Sequence, residues 1–188
     1  VYKHGKQKEL IYLQEFIEML ESTKFVKPLR DKSFLAFLYW FGTRKSEGLE
    51  LIKEDFEIEN NILRVKAKAK KRGERPALEI PIDLPLVNLI IEKVKKTKPN
   101  RRVWNMSPTT AWRIIKRFSE KLYPHFFRLN RASHFLENPE TSTAEMMSWF
   151  GWKSTKTINK YVGYSRRHIV TMSSRLREEA KSKKNGKI

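Results

Sequence analysis

Apolar residues along 8–22 recur at helical spacing, with Leu10, Leu13, Phe16, Ile17 and Leu20 on one face, which predicts an amphipathic helix. A second helix is predicted over 28–42, where Phe34 to Phe41 are apolar without a break, so it is buried nearly all round. Gly42 ends it, and a short helix beginning near Arg44 follows. At Asp55 the period changes to two. DFEIE and NILRVKAKAK alternate, and PALEIPI follows the break at Arg72-Gly73. That pattern predicts three short antiparallel strands, joined by a turn at Asn60-Asn61 and another at KKRGERP.

Helices then resume. One is predicted over 84–96, with Leu86, Leu89, Ile90 and Val94 on one side. Another opens at the capping pair Ser107-Pro108 and runs to about 122, with Ala111, Ile115, Phe118 and Leu122 facing in. Further helices are predicted at 125–137, 143–150, 155–163 and 166–182, with Asn138-Pro139 and Gly151 as breaks. The fold class is therefore mainly α with a small three-stranded antiparallel sheet (α+β).

Composition narrows the function. The 188 residues suit about one domain, and a 39% hydrophobic share can build a core. Forty Lys and Arg against 21 Asp and Glu give a formal charge of +19, an excess that repels itself and serves a polyanionic partner. Double-stranded DNA leads that class, ahead of an anionic membrane surface. No apolar run approaches the ~18–20 residues of a membrane span. The absence of cysteine excludes disulfides, thiolate catalysis and cysteine-ligated metal, and points to an intracellular setting, the cytoplasm or nucleoid of a host cell. His4, His125, His134 and His168 lack metal-ligand spacing, so neither metal nor cofactor is expected. The chain begins at Val1 with polar, linker-like residues, and the expectation is a fragment of a longer protein.

Four short stretches carry candidate chemistry. Arg44 follows the buried run and Gly42-Thr43, an unusual place for a charge unless it is paired or needed. His125 and Arg128 stand in HFFR at i and i+3, on one face of a helix start. Lysines alternate along KAKAKKRGER, and Tyr161 follows FGWKS in KYVGYS. Taken singly these read as a solvated helix face, a basic turn and a core tyrosine.

Their order is more informative. GTRKSEGLEL, ILRVKAKAKK, HFFRLNRASHFLE and MMSWFGWKSTKTINKYVGYS, spread in sequence over about 28–165, together resemble the catalytic domain of the tyrosine recombinases, the integrase group of site-specific DNA recombinases. The resemblance implies a catalytic set of Arg44, Lys68, His125, Arg128, Trp152 and Tyr161. Lys66 and Lys70 are rivals for the lysine, and Tyr164 is a rival for the nucleophile. Tyr161 lies nine residues after Trp152, where the family places its nucleophile. Lys45, Lys66, Lys70, Lys71, Arg72 and Arg131 are expected on DNA. The implied roles are phosphate gripping by the arginines, attack by Tyr161, proton transfer by His125 and Lys68, and hydrogen bonding by Trp152.

Two departures stand out. Leu129 occupies a position that is often His in the family. Residues 1–27 form a linker and first helix, too short for the family's N-terminal DNA-binding domain. The core is expected over 28–165, and 166–188 as a helix and basic tail that docks on a neighbouring protomer in a dimer or tetramer, or folds back on its own core. Few glutamines and many Lys and Glu fit a heat-adapted host, hence an archaeal virus or plasmid. Competing readings are DNA relaxation by a type IB topoisomerase and a non-catalytic architectural protein.

Overall fold

The structure, a computed structural model, describes residues 10–67 and 75–162. Helices α1 (Leu13–Ser22), α2 (Pro28–Phe41) and α3 (Lys45–Glu50) come first. Strands β1 (Phe56–Glu59), β2 (Ile62–Val65) and β3 (Leu78–Pro81) follow. The chain then forms α4 (Val87–Lys95), α5 (Pro108–Phe118), α6 (Phe126–Glu137), α7 (Thr143–Phe150) and α8 (Lys156–Val162). Helices thus predominate around one small sheet.

Helix α2 is the axis of the core. Its run from Phe34 to Leu38 is wholly enclosed, and it packs against α3, α4 and α6. An all-round apolar helix requires partners on every side, which explains why the flanking helices gather on it. Trp104 fills the space between Phe34, Phe37 and Phe56, and its indole N–H donates to Ser33 Oγ at 3.0 Å. That bond supplies the partner a buried indole needs.

The sheet is antiparallel in the order β1-β2-β3, with Phe56 opposite Val65 and Val65 opposite Leu78. Asn60 and Asn61 both take positive φ, the geometry of a two-residue hairpin turn. Phe56, Leu63, Val65, Leu78 and Ile80 face the core. On the other face Arg64 pairs with Glu79 at 2.7 Å across the strands.

Three predicted helices shorten, each for a local reason. Helix α1 starts at Leu13 because Asn130 holds Ile11 in place: its side chain accepts from Ile11 N–H and donates to Ile11 C=O. Helix α4 starts at Val87, since Leu86 adopts φ +68° and the Pro85 carbonyl accepts from the Trp40 indole. Helix α5 ends at Phe118, where Ser119 turns extended, although Leu122 still packs into the core. The helix predicted at 166–182 and residues 70–74 of the predicted KKRGERP turn lie outside the described residues.

A second, smaller apolar cluster lies beneath α6. Leu129, Ala132, Met146, Phe150, Trp152, Ile158 and Tyr161 form it. Leu129, the departure from the family's usual histidine, is one of its buried members.

Candidate active site

Arg44 is the N-cap of α3, placed there by the left-handed Gly42 and the fully buried Thr43. Its backbone N–H donates to Glu47 Oε2 at 2.9 Å, and its Nη1 donates to Glu47 Oε1 at 2.6 Å. The Glu47 side chain is wholly enclosed, whereas that of Arg44 is 42% exposed. The carboxylate therefore fixes where the guanidinium points while its outer edge stays open to a ligand.

Arg128 reaches the same place from α6. It is 1% exposed, and its guanidinium donates to the Gly42 carbonyl at 3.3 Å and the Phe150 carbonyl at 2.6 Å. The guanidinium also lies over the rings of Phe150 and Trp152. Burial pushes its pKa down to about 10, with Arg44 acting in the same direction and Glu47 and Tyr161 opposing. It stays charged at neutral pH. Two carbonyls leave further N–H donors unused, and the guanidinium's charge acts on the Tyr161 hydroxyl.

Tyr161, on α8, is held by a stack of rings. Phe150 stacks on Trp152 at 4.5 Å, and Trp152 stacks on Tyr161 at 5.0 Å with planes 16° apart. Burial raises the Tyr161 pKa, while the charges of Arg128 and then Arg44 pull it down. Burial prevails, so the phenol is protonated at neutral pH.

The structure thus brings Arg44, Arg128, Trp152 and Tyr161 together from four separate stretches of chain. His125 is exposed at the N-cap of α6, three residues before Arg128. Lys45 donates to the Pro108 carbonyl at 3.0 Å. Lys66 projects from the solvent face beside β2, where it pairs with Glu57 at 2.6 Å. Lys68, Lys70, Lys71, Arg72 and Tyr164 lie outside the described residues.

Arg131 departs from expectation. Its Nε and Nη2 donate to the Tyr39 carbonyl at 3.1 and 3.0 Å, and Tyr39, Trp40 and Phe135 surround the guanidinium. One helical turn beyond Arg128, it points at α2 and joins that helix to α6. A cation enclosed in this way offers no surface to DNA.

Sequence reasoning missed two residues of the site. Glu47 left a signal, an acid three residues after a helix-capping arginine. Arg75 left none, since it read as part of a basic turn. Its side chain is 2% exposed and its Nη2 lies 3.8 Å from Glu47 Oε2.

Comparison with known proteins gives the family and the fold. Residues 11–168 match the phage integrase family, and the chain belongs to that family of tyrosine recombinases. Tyrosine recombinase XerD of Staphylococcus haemolyticus is 26% identical over 191 residues, covering 93% of this chain and 64% of the relative. Tyrosine recombinase XerA of Pyrococcus furiosus is 27% identical over 176 residues, covering 84% of this chain and 57% of the relative. The chain therefore spans less than two thirds of these relatives. Among solved structures, the XerH site-specific recombinase bound to palindromic difH substrate superimposes with a TM-score of 0.69 at 17% identity, over 90% of this chain and 53% of that one. The catalytic domain of bacteriophage HP1 integrase gives 0.57 at 17% identity, over 88% and 94%. These two likenesses establish a shared catalytic-domain fold.

Proposed function

We propose that this chain is the catalytic part of a site-specific DNA recombinase that cuts and rejoins strands through a covalent link to Tyr161. The observation that carries the proposal is the meeting at Trp152 of the buried Arg128 guanidinium, which lies over that ring, and Tyr161, which stacks on it, with Arg44 as the next cation. Residues 28–165 are the catalytic core, 1–27 a linker and first helix, and 166–188 a C-terminal helix and basic tail.

In the proposed reaction, Arg44 and Arg128 hold the non-bridging oxygens of one phosphodiester. The Tyr161 oxygen attacks phosphorus in line as His125 takes its proton. The bond to the 5′ oxygen breaks, and Lys68 protonates that oxygen, leaving a 3′-phosphotyrosyl link and a free 5′ hydroxyl. Attack by another 5′ hydroxyl reverses these steps and joins new strands. The charge of +19 supports a DNA duplex as the substrate and a site of action in the cytoplasm or nucleoid.

The test uses the full-length protein and a pool of nicked duplexes of randomised sequence without added metal. After denaturation, a slower protein–DNA band is expected, absent for Tyr161→Phe and retained for Tyr164→Phe. A band that survives Tyr161→Phe reassigns the nucleophile. No band for the wild type leaves a DNA-binding module without strand cleavage. Sequencing the trapped DNA gives the site.

A further inference from the structure

We infer that Arg75 is a positioning residue of this site, one that shares the buried Glu47 carboxylate with Arg44 and so leaves Arg44 charge to spend on a phosphate. The inference rests on the recombinase reading above.

Arg75 is built into the site from the far side of Glu47. Its Nε donates to the Ala67 carbonyl at 2.8 Å and its Nη1 to the Trp149 carbonyl at 3.5 Å. Its Nη2 faces Glu47 Oε2 at 3.8 Å and has no hydrogen-bond partner. Enclosing a guanidinium with one end unsatisfied is costly, and a hydrophobic side chain would fill the volume at lower cost. Burial holds the Arg75 pKa down, Glu47 opposes that, and Arg44 adds to it. The two guanidiniums therefore act on each other as well as on the carboxylate between them.

Charge balance supplies the reason to keep it. With Arg44 alone, Glu47 would close a neutral ion pair and cancel most of the field that Arg44 presents. Arg75 and Arg128 bring three guanidiniums against one carboxylate, a surplus of two positive charges. A phosphodiester carries one negative charge, and in-line attack concentrates more on its equatorial oxygens. The surplus thus matches the transition state better than it matches the empty protein. Arg75 need not touch the phosphate: it acts through Glu47.

The test compares wild type, Arg75→Lys and Arg75→Ala on the duplex recovered by covalent trapping. Each is assayed with an ordinary phosphodiester and with a neutral methylphosphonate at the cleaved position, and each melting temperature is recorded. Loss of Arg75 is expected to slow adduct formation about tenfold or more on the phosphodiester but no more than about threefold on the methylphosphonate, whose transition state carries one charge fewer. Arg75→Lys is expected to recover part of the rate. Equal slowing on both substrates makes Arg75 a strut for Ala67 and Trp149 and overturns the inference, as does no slowing on either. Should Arg75→Ala not fold, Arg75→Lys and Arg75→Gln decide by the same ratio. A wild type that forms no adduct removes the recombinase reading itself, an outcome distinct from any result with the variants.

Discussion

Trp152 lies nearly parallel to Tyr161, ring centroids 5.0 Å apart, and Phe150 also stacks on Trp152. The stack fixes the plane of the phenol, and the charge of Arg128 acts on its oxygen. Trp152→Ala is expected to cost about 3–5 kcal/mol of stability, the range for emptying a large aromatic site. The same change lets the phenol swing away from Arg128, so adduct formation falls further than stability predicts. Trp152→Phe keeps a ring in the stack and retains most of both. Denaturant melts and adduct rates measured on the same samples check the two effects.

Arg44 and Arg128 are expected to respond differently to replacement. Arg44 is partly exposed, and without it Glu47 keeps a backbone N–H and the nearby Arg75. Arg44→Ala should therefore fold nearly normally yet lose about 3–4 kcal/mol of barrier lowering. Arg128→Lys has no planar fork to span the carbonyls of Gly42 and Phe150. It should lose stability and activity together. Melting temperature and trapping rate, plotted against each other, place the two variants in different corners.

Gly42 is expected to be intolerant of any side chain. Its φ is +57°, and a Cβ there would sit 2.7 Å from the Arg131 Cβ. Strain and overpacking add, so Gly42→Ala should destabilise by about 2–4 kcal/mol. The displaced α2 end would also move Arg44. A urea titration checks the first consequence, and the adduct rate under folding conditions checks the second.

His134 gives the fold an acid sensitivity. It stacks on Tyr12 and lies edge-on to Tyr39. Burial, helped by Arg131, pushes its pKa down to about 4 from the ordinary 6.5. The unfolded chain then binds a proton between these values that the folded chain does not. Stability is therefore full above about pH 6.5 and falls by about 2–3 kcal/mol as pH drops toward 4. His134→Phe should flatten that slope, measured as melting temperature against pH.

Much of the fold was legible in periodicity. The all-apolar α2, the switch to a period of two at Asp55 and the Asn60-Asn61 turn are local properties of the chain, and they form where the pattern placed them. The boundaries that moved were set by distant partners. Asn130 pins Ile11 across the fold, and Trp40 takes the Pro85 carbonyl.

The sequence by itself determined the kinds of residue available for the chemistry, because residue type and order survive without a fold: two arginines, a tryptophan and a tyrosine in recognisable spacing, in a strongly basic chain. Only tertiary structure decided which charges face one another. Arg128 and Arg131 lie one turn apart on α6 and look alike in sequence, yet one lies over Trp152, on which Tyr161 stacks, and the other is enclosed against α2. Glu47 and Arg75 meet across 28 positions of chain, at 3.8 Å. Electrostatic coupling depends on distance and on exclusion of water, and neither quantity exists until the helices have packed.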